Sequence, residues 1–244
     1  MDSSKKEIRY TETYPKKRRK TRFRKLAFWL LVDATVAAVV FALLLHKPGS
    51  YDPAKFGSFG NEQGQVSPYL THELLPKIHN DAQFEKPFDV VVTQDGISEI
   101  VAELGWPKMS GGVMLSAPAV LFAPGSVVLM GTASLKGAKF VVTIVIRPEI
   151  DEQGRLNLLV AKVKIGAMNI TPLAKMTAKK MYAQKLAALP DGMIDSDAWE
   201  TKIAGSLLSG EPFEPVFKID GRKLRIEQIT VQNQKLTARL IPAP

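Results

Sequence analysis

Residues 26–45, LAFWLLVDATVAAVVFALLL, carry a single charge, Asp33. A helix of that length rises about 30 Å, the thickness of a bilayer's hydrocarbon core, so the stretch predicts a transmembrane helix. After it, Pro48, Gly49, Pro53, Gly57, Gly60 and Gly64 break any periodicity and predict a flexible linker. Ser67 and Pro68 then suit the N-cap and first position of a helix over 68–82, which Pro76 should kink or split. Residues 88–92 read as a strand. Ile97, Ile100, Val101 and Leu104 recur at helical spacing, with Gly105 placed to end that helix. Residues 106–118 read as a loop, although Trp106, Met109, Met114 and Leu115 make it unusually apolar.

From Ala119 the period changes to two. Strands are predicted to end at Pro124-Gly125 and to run over 126–135, 138–147 and 155–166, joined by short turns at Lys136-Gly137 and 151–154. Such short connections require antiparallel neighbours, a meander. Gly131, inside a strand, marks a bulge or bend. Thr171-Pro172 opens a helix whose stripe is Ala174, Ala178, Met181, Tyr182, Lys185 and Leu189, and Pro190-Asp191-Gly192 ends it. Asp197 and Glu200 resemble a capping box for a second helix carrying Trp199, Ile203 and Leu207 and closed by Gly210. Three final strands cover 216–219, 223–231 and 235–241, the first two joined by the hairpin signal Asp220-Gly221. Leu224 and Ile226 differ in parity from Ile229 and Val231, which a bulge near Glu227–Gln228 would reconcile. The fold class predicted is α+β: one transmembrane helix, then a curved antiparallel meander with packed helices.

The meander strands are apolar on both faces. Phe140, Val142, Ile144 and Ile146 alternate with Val141, Thr143 and Val145, whereas a sheet with one wet side shows clean alternation. Each face therefore needs a cover: helices, a second sheet, a second copy or a ligand. If the cover is a lipid acyl chain, its lining is expected from Val127, Leu129, Phe140, Val142, Ile144, Leu159 and Val163, with the opposite parity as the alternative. Trp106 and Met109 are either a cap on the core or a membrane-touching tip.

Charge fixes the setting. The net charge of +9 is concentrated at the start, where residues 1–25 hold 11 basic and 3 acidic side chains; the remainder holds 22 against 21. A basic flank stays cytoplasmic. The chain is therefore read as a basic cytoplasmic tail (1–25), a transmembrane helix (26–46), a linker (47–67) and an extracytoplasmic α+β domain (68–244), in a single-pass protein of a bacterial inner or cell membrane. A nucleic-acid reading of KKRRKTRFRK gives way to the adjacent apolar stretch, so no nucleic-acid partner is expected. The apolar region exceeds the usual 7–15 residues of a signal peptide and lacks a small-x-small cleavage site, so it is read as an uncleaved anchor. Asp33 lies roughly 10 Å deep. It is read either as a contact to a partner helix or as a protonated or locally hydrated carboxyl.

Candidate chemistry is sparse. The chain has no cysteine, and its three histidines, His46, His72 and His79, lack the spacing of a zinc helix. No G-x-S-x-G, phosphate loop or H-E-x-x-H occurs. No catalytic residue, metal ligand or cofactor is assigned, and the expectation is a protein that is not an enzyme. Lys175, Lys179, Lys180 and Lys185, with no acid among them, allow their helix either to pack on the sheet or to lie on an anionic membrane.

The basic tail, the span, FDVVVTQDGISEIVAELG and the meander VLFAPGSVVLMGTASLKGAKFVVTIVIRPEIDEQGRLNLLVAKVKIG together resemble small membrane-anchored bacterial proteins similar to the tubular lipid-binding (BPI-like) superfamily. The resemblance covers roughly residues 88–189 and implies a curved sheet around a lipid groove, with the membrane and an acyl-chain lipid as partners. The competing expectation is an assembly factor whose apolar sheet face docks another envelope protein. On the orientation expected, protease added outside spheroplasts should degrade the region after residue 49 and spare the tail. Replacing Lys16, Lys17, Arg18, Arg19, Lys20, Arg22, Arg24 and Lys25 by Gln should mix the two orientations. Protection of the C-terminal region from external protease would reverse the assignment.

Overall fold

The alternating segment becomes a six-stranded antiparallel sheet in the computed structural model, which describes residues 19–52, 66–188 and 198–243. The basic tail before residue 19, linker residues 53–65, the stop at Pro190-Asp191-Gly192 and the cap at Asp197 lie outside these residues. Two compact units divide after Ala42. Helix α1 (Arg19–Leu45), whose last three residues fall in the second unit, contains a 22-residue stretch, Arg24–Leu45, long and apolar enough to cross a membrane, with none of it buried in protein. The second is the extramembrane α+β domain.

The sheet order is β2-β3-β4-β5-β6-β7: β2 (Lys108–Ser110), β3 (Val113–Ala123), β4 (Ser126–Leu135), β5 (Ala138–Ile150), β6 (Leu156–Ile165) and β7 (Met168–Asn169). The segment expected to be the loop 106–118 is mostly a hairpin: β2 and β3 pair through Gly111-Gly112, both at positive φ. Two such residues form the tight turn whose twist matches that of the strands, which is why an apolar stretch here is strand rather than loop.

A second sheet, in the order β1-β10-β9-β8, comprises β1 (Phe88–Thr93), β8 (Val216–Ile219), β9 (Arg222–Gln232) and β10 (Lys235–Pro242). The register of β9 against β10 shifts so that Glu227 is the extra residue, Arg239 facing Gln228 and Leu240 facing Ile226. That bulge puts Leu224, Ile226, Ile229 and Val231 on one face, as the parity switch requires. One end of this face packs on α2 (Leu75–Ala82), around Ala82, Val90, Leu224 and Leu240. Its other end meets the six-stranded sheet, where Val231 clusters with Val120 and Phe122.

Pro76 divides the first domain helix as predicted. A π-helical turn, Tyr69–Leu74, precedes α2, with Pro76 in the first turn of the latter. A proline has no N–H for the ordinary ladder, and a wider turn accommodates the loss. The Thr93 hydroxyl accepts from the Gly96 N–H and caps α3 (Gln94–Ala102), which ends two residues before Leu104. α3 lies on β3: the Ser98 hydroxyl donates to the Val120 carbonyl at 3.1 Å and the Phe122 N–H to the Gln94 side chain at 2.9 Å.

The opposite face of the six-stranded sheet holds Tyr51, which the sequence placed in the linker. It is 1% exposed and packs with Ala119, Met130 and Val141. Its anchor is a bulge. Ala117 and Pro118 are both accommodated opposite Gly131 where the β3–β4 register shifts, leaving the Ala117 carbonyl out of the ladder. The Tyr51 hydroxyl donates to that carbonyl at 2.6 Å and lies 3.0 Å from the Thr132 hydroxyl.

Burial pushes the Tyr51 phenol above its ordinary value, with the Thr132 hydrogen bond pulling partly back. A raised value in the folded state means the fold holds the proton more tightly. This contribution to stability is complete below about pH 10 and is lost as pH rises through the folded-state value. Tyr51→Phe should cost about 1–3 kcal/mol at neutral pH by leaving the Ala117 carbonyl without its donor. The variant should also lose less stability than the parent between neutral pH and strong alkali. Equal alkaline slopes in thermal unfolding would remove Tyr51 as the cause.

Candidate functional site

Strands β4, β5 and β6 bring Leu129, Ile144 and Val163 directly opposite one another, and pair Ile146 with Val160. Two helices cover them: α4 (Thr171–Ala188) and α5 (Trp199–Ser209). Ala174 and Ala178, one turn apart on α4, present only methyl groups toward the sheet. The space they leave is an apolar cavity of about 220 Å³, lined also by Leu207 and Leu208 from α5. Lys175 lines it too and is exposed.

Hydroxyl groups hold this cover to the free edge of β6. The Ser206 hydroxyl, on a residue 1% exposed, accepts from the Leu158 N–H at 2.8 Å, and the Thr171 hydroxyl accepts from the Val163 N–H at 2.8 Å. Leu156 exchanges backbone hydrogen bonds with Phe213, at 2.8 and 3.0 Å. The Trp199 ring meets Phe213 and Phe217 edge to face at 5.4 and 5.7 Å, fixing the start of α5. Its end is set by Gly210 in the left-handed region.

Of the expected lining, Leu129, Ile144 and Val163 meet at this cavity. Phe140 and Val142 share the face of Ile144 but do not line it. Val127 also shares it and packs instead in the cluster of Val120, Phe122 and Val231. Leu159 points to the other face. The register shift between Val145 and Ile146 makes Ala161 an extra residue, so Leu159 pairs with Arg147 and loses the parity of Val163. Ile146, Val160, Ala174, Lys175, Ala178, Leu207 and Leu208 were not anticipated as lining, although the parity of Ile146 and the small side chains of Ala174 and Ala178 are visible in the sequence. On α4, Met181 lies seven residues beyond Ala174 on the same stripe but is exposed; Leu189 lies outside the described residues. The Trp106 indole donates to the Val101 carbonyl at 2.8 Å at the end of α3, and Lys108 lies 5.2 Å above its ring. Met109 is 70% exposed.

Two other clusters are polar. His79 pairs with Asp220, and Gln83 hydrogen-bonds the other ring nitrogen at 3.0 Å. This pair, 141 residues apart, joins α2 to the β8–β9 turn and is exposed to solvent. The outer face of the four-stranded sheet forms a groove of Asp89, Gln228, Thr230, Gln232, Thr237 and Arg239, the wet side of a one-sided sheet. Among the described residues no three His, Asp or Glu side chains gather as a metal site.

No protein-family model, curated protein or solved structure matches the chain. The resemblance to tubular lipid-binding proteins accordingly rests on pattern.

Ser206→Ala should strip the Leu158 N–H of its buried partner at a cost of about 1–3 kcal/mol. Hydrogen exchange at the Leu158 amide should accelerate, with amides in β1 and β10 unaffected. An unchanged Leu158 rate would mean that α5 does not protect this edge.

Proposed function

We propose that the protein is a membrane-tethered lipid-binding domain, held on the extracytoplasmic side of a bacterial cell membrane, that takes up part of an acyl chain beneath α4 and α5. The apolar cavity, with the exposed Lys175 among its lining residues, carries this reading. Each methylene transferred from water into such a space gains about 0.8 kcal/mol. An anionic headgroup or a fatty-acid carboxylate finds its counter-charge at Lys175. Ligand pockets commonly measure about 300–1,000 Å³. The present cavity therefore admits a chain end, and a longer chain requires the two helices to move apart. The strand-helix opening and meander that resemble tubular lipid-binding proteins point the same way.

A photoactivatable fatty acid added to the full chain in nanodiscs tests the proposal. Its crosslinks should map to Ala178, Leu207 and Leu208. Ile144→Trp and Ala178→Trp, which fill the cavity, should abolish them while circular dichroism stays unchanged. Lys175→Gln should weaken labelling by the acid more than by the matching fatty alcohol. Crosslinks that ignore both tryptophans would overturn lipid uptake and leave docking of an envelope protein as the better account.

A further inference from the structure

The sheet-facing side of α4 is Thr171, Ala174, Ala178 and Tyr182, and at 100° per residue the opposite side carries Leu173 and Met176, with Met181 exposed on a flank. These three are 58%, 66% and 63% exposed. A helix with apolar residues on two opposite sides has a partner for only one of them here. The chemistry around the outer side indicates the other partner. Residues 171–188 contain Lys175, Lys179, Lys180 and Lys185 and no acidic residue. Lys180 stands between Leu173 and Met176 on the outer side, and its long methylene stem allows the ammonium to reach past an apolar contact. Large apolar side chains interleaved with lysines suit the boundary between anionic headgroups and acyl chains.

A second observation supplies the location. Leu43 and Leu44, the last turn of the membrane-spanning stretch, belong to the same compact unit as α4. The Ala167 N–H donates to the Leu43 carbonyl at 2.8 Å. Gly166, at φ +58°, brings its backbone so close to the Leu43 and Leu44 carbonyls that any Cβ would collide with them. Four residues beyond Ala167, α4 begins. The segment leading into the lysine-rich helix is therefore fastened to the point where the chain leaves the span.

We infer that the outer side of α4 docks on the anionic surface of the membrane that holds the anchor, through Leu173, Met176 and Lys180, with Met181 and Lys179 on its flanks. The inference does not require the cavity beneath α4 to bind lipid. It assigns the surface to a bilayer rather than to a second protein.

The absence of native cysteine permits a unique label. Full-length Met176→Cys, carrying an environment-sensitive fluorophore, is placed in nanodiscs of phosphatidylcholine alone or with phosphatidylglycerol, each doped with a doxyl-labelled lipid quencher. A Glu152→Cys label in the β5–β6 turn reports general exposure to lipid. Quenching at Met176 should exceed that at Glu152, rise with phosphatidylglycerol and fall with salt. Lys179→Gln and Lys180→Gln should each lower the docking equilibrium about fivefold. Equal quenching at the two positions, or none at either, would overturn the inference. So would quenching independent of phosphatidylglycerol, since charge would then have no part in choosing the surface. A blue-shifted but unquenched Met176 label would overturn it in favour of contact with another copy of the chain.

Discussion

Strands apolar on both sides cannot remain in water on either, and this constraint governs the domain. Leaving one large aliphatic side chain exposed forfeits about 1.5–3 kcal/mol relative to burying it. With no cysteine, no disulfide offsets that loss. One face of the long sheet is shared among several covers. The four-stranded sheet and α3 take the β3–β4 end, and α4 with α5 take the β5–β6 end. The other face receives Tyr51, delivered by chain that lies only a few residues beyond the membrane span. Its hydroxyl solves a second problem there, because the bulge that bends β3 leaves a carbonyl facing inward.

The covers also close an edge. β7 has two residues and pairs with only the end of β6. An open strand edge invites pairing with other chains. Here Phe213, Ser206 and Thr171 bond to Leu156, Leu158 and Val163 along that edge of β6. The same residues locate α4 and α5 over the sheet. The cavity thus follows from how the edge is sealed: the helices are positioned by hydroxyl contacts at their margins, while Ala174 and Ala178 are too small to fill the middle.

Local patterns carried much of this into the sequence. The meander, the split at Pro76, the bulge at Glu227 and the stop at Gly210 each depend on neighbouring residues, so periodicity and turn chemistry expose them. Gly111-Gly112 carried the same kind of signal, but the apolar residues around it obscured the hairpin. What was not legible depends on distant pairing. Nothing near Tyr51 announces the Ala117 carbonyl, and nothing near His79 announces Asp220. Sequence parity brought Leu129, Ile144 and Val163 to the site, since these strands are consecutive. It misplaced Leu159 because one extra residue in β6 leaves no mark in hydrophobicity. Leu207 and Leu208 reach the cavity only through the packing of α5.

That extra residue has a meaning for how related chains can differ in length. In β6, losing one residue at Ala161 converts a bulged ladder to a regular one and keeps Val160 and Val163 on the same face. Losing one elsewhere in the strand would turn part of it inside out unless the bulge moved in compensation. Glu227 plays the same part in β9. A gap of one residue in a divergent relative is therefore expected at these two positions, where the sheet already holds a residue that its pairing does not need.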